Sequence, residues 1–489
     1  MLGNNKNFRQ NPPLLVSLLP ILCFLAVVGY VIYTQGADVA QGISQYLLLG
    51  ATAIAFFISK VIYARKWKYI FLGIRMSAKQ ILPTITILLL IGTVSATWMM
   101  SGTVPVLIDY GLKIISPKFF LVIACTVCAG VSVMSGSSWT TIATIGGAFM
   151  GIGDVLGYNG AWVAGAVISG AYFGDKVSPL SDTTVLASST AGVPLFKHIK
   201  YMMITTVPSM TVALIVFCIV GLTAEVYPMS ESVEMVDSLR EAFNITPWVL
   251  LIPVITCVLI VKRISTTKTL VFSTILGLVG MFVFQPQIAD NVFGGTVDSF
   301  AKAFIVVCDV LLTNTQVETG NAVLNDLVFT GGIEGMIPTI CLVLAAMLFG
   351  GVMIGSGMVT SITQAFTRKI KSLRSVVCST VFGGLFFNAS TGDQYLAILL
   401  NCNVFKRLYK RLGLENRLLS RTVEDSVSVT SVLFPWNSCG VAQSMVLGIP
   451  TLVYLPYCVF NYVSPLMSII IATLGYKIVQ RAKKISKNC

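Results

Sequence analysis

The sequence predicts an all-α polytopic membrane protein built as two inverted repeats, each of five transmembrane helices plus one re-entrant hairpin, with broken helices at mid-membrane. Three observations predict it: a composition almost without charge, polar strings set inside apolar spans, and short motifs that recur at a constant spacing. Of 489 residues, 55% are apolar and 11% charged, and the mean hydropathy is +0.84, whereas a soluble domain is about a quarter charged. The solvent of this chain is lipid. The formal charge of +13 does not point to nucleic acid, because Lys and Arg sit in short loops, where they report topology. The 12 cysteines lack metal-type spacing and the chain holds a single histidine, so neither a zinc site nor another cofactor is expected.

Apolar spans fall at about 14–34, 44–63, 81–112, 161–196, 199–222, 247–261, 269–286, 337–366, 422–448 and 451–475, which makes ten crossings. The first is longer than the apolar part of a signal peptide and is read as a membrane helix. Stretches 119–152 and 375–402 are too long for one span and too short for two. Each carries a polar knot, SGSSWTT at 135–141 and NASTGDQY at 388–395. Re-entrant hairpins fit them, since irregular backbone is tolerated at membrane depth only when buried in protein or lining a wet cavity. The basic segments are Lys6 and Arg9, Arg65 to Lys79, Lys197 to Lys200, Lys262 to Lys268, Arg368 to Arg374, Lys406 to Arg421 and Lys477 to Lys487. All fall on one side if both hairpins enter and leave by the same face, which puts both termini in the cytoplasm of a cell-membrane protein. The acidic loops at 223–246 and 287–336 then lie outside, with Lys113 and Lys118 as exceptions.

The halves correspond. SGTV at 101 meets SGMV at 356 (356 − 101 = 255), and Pro179 meets Pro435 at 256. GVP at 192 meets GIP at 448, Pro208 meets Pro465 at 257, and Ser135 falls opposite Ser390. The division predicted is 1–230 and 231–489, each with a hairpin and a broken helix, at 161–196 and 422–448. Five crossings per half is odd, so the second copy is inverted. Two near-equivalent halves give two near-equivalent states, the usual construction of secondary transporters.

The most informative segment is GAYFGDKVSPLSDTT, 170–184. A charge at the bilayer centre costs about 2.5 to 3.5 kcal/mol on insertion scales, so bare acids there imply a partner or a wet cavity. Pro179 removes a backbone donor and breaks the helix. Exposed carbonyls together with Asp175, Ser181, Asp182 and Thr183 then form an oxygen cage for a small hard cation, with Asp175 and Asp182 as sodium ligands. Two blander readings compete: Asp175 pairs with Lys176, and Asp182 caps the next half-helix. Asn437 and Ser438, at the second break, stand opposite Ser181 and Asp182 as neutral ligands. Glu424 and Asp425 read as surface partners of Arg417 or Arg421. The hairpin tips offer Ser137, Ser138, Thr140 and Thr141 in one copy, and Ser390, Thr391 and Asp393 in the other, either as ligands or as groups that close the tip. Trp139 reads as packing, and His198 as a surface residue. The small-residue segments SGTVP at 101–105 and GGVMIGSGMV at 350–359 read as close helix packing.

From about residue 80 to 475 the chain resembles the NhaC-type sodium/proton antiporters, a group that also includes sodium-malate/lactate exchangers. The resemblance rests on GSSWTT (136–141), GAYFGDKVSPLSDTT (170–184), AGVPLFKHIKYM (191–202), LSRTVEDS (419–426) and PWNSCG (435–440). It implies exchange of external protons for internal sodium, the carboxylates of GDKVSPLSDTT as the cation site, a moving part that holds both hairpins, and a homodimer. Many relatives carry Asn after the DTT, where this chain has Val185, which removes one polar ligand. The alternative is a sodium-coupled exchanger of a small carboxylate, malate or lactate, with Ser137, Thr140 and Asn437 as its ligands. A channel lacks its filter repeat, and an intramembrane enzyme lacks recognisable machinery.

Overall fold

A computed structural model of the chain describes residues 11–224, 229–262, 264–319, 325, 328–368, 370 and 372–476. Lys6, Arg9, Glu225 and the basic tail Lys477 to Lys487 lie outside the described residues. Among those described the chain is helical, apart from one isolated bridge between Thr315 and Thr330. Among the described residues seven helices are long and apolar enough to cross a membrane, and up to nine if each of two bent pairs counts as one span. The bent pairs, Val236–Ala242 with Pro247–Val261 and Ser438–Leu447 with Thr451–Tyr457, each turn by 90°. The expectation of ten crossings differs because the predicted spans 161–196 and 422–448 are each divided into shorter helices, and because Pro117–Ser135, one arm of a predicted hairpin, is itself long enough to span.

The helix Leu195–Thr223 shows how lipid selects the outer surface. Phe196, Val207, Ile215, Ile219 and Leu222 are exposed, while His198, Thr205, Thr206 and Ser209 are buried. In lipid the apolar face turns outward, and the polar groups find partners only inside. This also corrects the surface reading of His198. It shares the inward face with Tyr201, Met202 and Thr205 at helical spacing, whereas Lys197 and Lys200 on either side are exposed.

Both hairpins return to the level at which they start. The first runs Phe120–Ser135, turns at Gly136, and comes back through Ser138–Thr141, a π turn at Ile142–Gly146 and Gly147–Val155. The Tyr158 hydroxyl, just past its end, donates to the Pro117 carbonyl, just before its start, at 2.8 Å. The second runs Leu373–Thr391 and Gln394–Arg411. Its base is tied by Arg411 Nη2 donating to the Ile370 carbonyl at 3.3 Å.

The first broken helix is Gly160–Val177 followed by Asp182–Ala191, and the second is Asn416–Val423, a π turn Glu424–Ser428, a short 3-10 turn Ser431–Leu433, and Ser438–Leu447. Four pairs of glycines with left-handed backbone keep the spacing of the sequence motifs: Gly102 and Gly357 (357 − 102 = 255), then Gly136 and Gly392, Gly157 and Gly413, and Gly192 and Gly448, each pair 256 apart.

The small-residue segments divide into two roles, which corrects the single reading of close packing. Gly351 and Gly355 pack against Ile74 and Ile70, where a Cβ would lie 2.7 Å from either Cα, so close approach explains them. Gly102 and Gly357, with φ of +76° and +82°, instead turn the chain at the ends of Trp67–Met100 and Ile337–Gly355.

Candidate cation-binding site

The site is assembled where the first break meets the first hairpin tip. Gly170 and Gly174 let the first broken helix lie against Phe120–Ser135. A Cβ on Gly174 would come within 2.5 Å of Ser132 Cβ, and one on Gly170 would collide with the Cys125 carbonyl. Small residues at four-residue spacing permit that contact in a membrane. Ser132 donates to the Ala171 carbonyl at 2.6 Å and Ser178 to the Val133 carbonyl at 2.8 Å. At the tip, Gly136 (φ +69°) abuts Leu180 of the break. The next helix therefore starts directly above Asp175.

Asp175 is half-buried. Its Oδ2 accepts from the Ser138 backbone N–H at 3.2 Å and from the Ser138 hydroxyl at 2.8 Å. Lys176, one residue on, faces the opposite way. Its Nζ is paired with Asp425 Oδ1 and lies 2.8 Å from Ser464 Oγ. The expected alternative of an Asp175–Lys176 pair is thus overturned, because neighbouring positions on a helix point about 100° apart. Asp182 is exposed, and the cap of its half-helix is Ser181, whose Oγ accepts from the Thr184 N–H at 3.3 Å. The reading of Asp182 as the cap is corrected in the same way: it occupies the first helical position, past the cap, and has no hydrogen-bond or ion-pair partner among the described residues.

Asp175, Asp182, Thr183 and Ser137 line one cavity of about 650 Å³ together with Trp139, Leu180, Gln394 and Tyr395. Lys79 and residues 264–267 also line it, and they belong to two of the basic segments. Val185 is 43% exposed and outside this lining. Both hairpins thus contribute: the tip of the first, and through Gln394 and Tyr395 the start of the second arm of the other.

The remaining predicted ligands lie outside the lining of this cavity. Thr141 donates to the Ser137 carbonyl at 2.9 Å. Thr140 is buried, and its hydroxyl has no partner among the described residues. Around the second break, Asn437 caps Ser438–Leu447 by accepting from the Cys439 N–H at 3.1 Å, and the Ser438 N–H donates to the Gly392 carbonyl at 2.8 Å. Ser390 and Thr391 bond the Phe387 carbonyl at 3.5 and 2.8 Å. Asp393 caps Gln394–Arg411 by accepting from the Leu396 N–H at 2.8 Å, while its Oδ2 is buried without a partner among the described residues. These groups close the second tip and its break and do not reach the cavity.

The surface placement expected for Glu424 and Asp425 is overturned, although the expected ion pair of Asp425 with Arg421 is present at 4.0 Å. Both are fully buried. Asp425 takes Lys176, with Thr205 at 3.1 Å, Ser464 at 3.2 Å and Ser468 at 2.5 Å, and Arg421 Nε stands 4.0 Å away. Arg417 pairs with Glu415. Glu424 Oε1 accepts from Thr183 at 3.2 Å and Thr184 at 3.5 Å. The available signal was their position inside the predicted span 422–448, directly before Ser426, Ser428, Thr430 and Ser431. Small hydroxyl residues at that density inside a span signal an interior polar network.

A family model described as the Na+/H+ antiporter family matches residues 13–193 and 170–476. The Na(+)/H(+) antiporter NhaC of Alkalihalophilus pseudofirmus is 38% identical over 403 residues, 82% of this chain and 83% of that protein. The malate-2H(+)/Na(+)-lactate antiporter of Bacillus subtilis is 33% identical over 396 residues, 81% of each chain. The arginine/ornithine antiporter ArcD of Halobacterium salinarum is 32% identical over 477 residues, 97% of this chain and 94% of that protein.

Proposed function

The chain belongs to the Na+/H+ antiporter family, and from that membership we propose that it is a secondary transporter in which two inverted halves exchange cytosolic sodium for external protons by alternating access. The observation that carries the proposal is the chemistry of the cavity. Asp175 and Asp182 face it, and the buried ammonium nearest to them in sequence, Lys176, is turned away onto Asp425. Asp182 is exposed and Asp175 half-buried, and a carboxylate even partly withdrawn from water without a cation is costly. The pair therefore takes up whichever cation neutralises it, sodium or proton, and competition between the two is the coupling. Lys79 and residues 264–267 in the lining belong to segments that the positive-inside rule assigns to the cytoplasm. This conformation is then the one open to cytosolic sodium.

A small organic acid fits the cavity less well, since a bound carboxylate would meet two acids at its depth and find an exposed Lys79 at the mouth. A cationic amino acid, the substrate class of the Halobacterium relative by its name, would meet compatible charge. In proteoliposomes of the purified protein, a sodium pulse drives proton movement in wild type, and Asp182→Asn abolishes it while the protein still folds. Full activity in Asp182→Asn removes the site assignment. Uptake of labelled malate or labelled arginine in place of sodium-driven proton flux replaces the substrate reading.

A further inference from the structure

We propose that a second cavity, between residues 192–204 and 415–417, binds the phosphate headgroup of an anionic phospholipid, with an acyl chain laid along the outer face of Leu195–Thr223. The inference goes beyond the sodium/proton reading and holds whichever solute the first cavity carries.

This cavity has a volume of about 850 Å³. Among the described residues its lining holds three cations, Lys197, Lys200 and Arg417, and one acid, Glu415. That acid is already neutralised: its Oε2 lies 2.5 Å from Arg417 Nε, and the guanidinium is held 4.9 Å from the Tyr201 ring. Lys197 and Lys200 are exposed and have no hydrogen-bond or ion-pair partner among the described residues. Their two charges are therefore the surplus of the site. Leu195–Thr223 and Asn416–Val423 both begin at this cavity, and no side chain caps the first turn of either helix. The positive ends of the two helices add to the two ammonium groups. A concave surface with that surplus of donors and positive charge fits an oxyanion, and basic pockets between membrane helices are where phosphate headgroups bind.

The helix that carries the lysines indicates the source of the phosphate. Ile204, Ile215 and Leu222 follow Lys197 at helical spacings (204 − 197 = 7, 215 − 204 = 11, 222 − 215 = 7) and continue its face of Leu195–Thr223. Ile204 lines the cavity, and Ile215 and Leu222 are exposed to lipid. From Ile204 to Ile215 the helix rises about 16 Å, half of a ~30 Å hydrocarbon core and so the depth of one leaflet. Ammonium groups at one end of an apolar stripe of that length match an amphiphile with phosphate at its head, whereas a free phosphate would leave the stripe unused. The positive-inside rule assigns residues 197–200 and 406–421 to the cytoplasm, the side on which anionic lipids give the membrane a negative surface. The site also spans both halves of the chain. Gly192 ends the first broken helix, Asn416 begins the second, and Asn416 Nδ2 donates to the Ala191 carbonyl at 2.6 Å. A headgroup that engages Lys197, Lys200 and Arg417 together sits across the joint between the two broken helices.

The test uses the purified full chain, with phosphatidylglycerol and phosphatidylcholine as probes and native mass spectrometry to count the lipids retained on each protein. Wild type is expected to hold one phosphatidylglycerol more tightly than phosphatidylcholine, and millimolar inorganic phosphate to leave it in place. The double variant Lys197→Gln with Lys200→Gln should weaken that binding by about thirtyfold, at about fivefold for each lysine. Lys66→Gln with Lys68→Gln removes the same charge from exposed positions of another basic segment and should keep it. Undiminished binding after loss of Lys197 and Lys200 overturns the proposal. So does an equal loss in the two double variants, which would reduce the effect to diffuse surface charge. Displacement by inorganic phosphate overturns the lipid as the ligand and makes the cavity a site for a soluble anion. Wild-type protein that holds phosphatidylglycerol no better than phosphatidylcholine also overturns the proposal, and that comparison needs no variant to fold.

Discussion

At the first hairpin tip Gly136 turns the chain, Ser137 caps the next helix, and Ser138 holds Asp175 of the first broken helix. At the second tip, each residue 256 positions further on (392 − 136 = 256), Gly392 turns the chain, Asp393 caps, and Gln394 accepts from Ser431 of the second broken helix at 3.2 Å. The contact between tip and break is thus made twice, once with an acid on the break and once with the acid moved to the cap. The backbone plan repeats while the chemistry does not. A cap consumes its carboxylate on a backbone N–H, so Asp393 serves the fold, whereas Asp175 is left facing the cavity.

The largest expected difference between the tips is functional. Asp175→Asn should abolish sodium-driven proton movement in vesicles, while Asp393→Asn should transport, since Asn caps a helix about as well as Asp. The opposite result would put the working acid in the second half. Next in size is the loss of room at the turns. Both glycines are left-handed, where a Cβ costs about 1–2 kcal/mol, but a Cβ on Gly136 would also meet Leu180 Cβ at 2.6 Å and its carbonyl carbon at 2.7 Å, against 2.8 Å to Ala346 Cβ for Gly392. Gly136→Ala should therefore lower the melting temperature more than Gly392→Ala, and equal shifts would show that the first break yields easily. The smallest contrast is at the position that follows each cap. Ser138→Ala removes a hydrogen bond to an ionised group, worth about 1.5–3 kcal/mol, and should raise the half-saturating sodium concentration by about tenfold or more. Gln394→Ala removes a neutral bond of about 0.5–1.5 kcal/mol and, although Gln394 lines the cavity, should raise that concentration less than Ser138→Ala does.

Much of this was legible from the residues. Pro179 and Pro435 mark the breaks because proline cannot continue a helix, and the polar knots at 135–141 and 388–395 fall at the two turns, next to Gly136 and Gly392. What was hidden is direction. Sequence places Asp175 and Lys176 side by side, but a helix sends them to different neighbours, and only the packing of the two broken helices brings Lys176 to Asp425. Arg417 and Arg421 suggested a surface for Glu424 and Asp425, yet Arg421 is itself fully buried, because the helix that begins at Asn416 runs inward at once. Long-range partners of that kind, 249 residues apart for Lys176 and Asp425, leave no local trace.

The ion pair of Lys176 and Asp425 ties one broken helix to the other and sums to zero. Carrying a lone elementary charge through the membrane potential involves about 2.3 kcal/mol of electrical work per 100 mV. A lysine or an aspartate travelling singly would make any displacement of these helices sensitive to voltage, pulled forward in one direction and held back in the other. Bound together they form a dipole of no net charge, so a displacement of the two helices would carry no charge of that pair through the field.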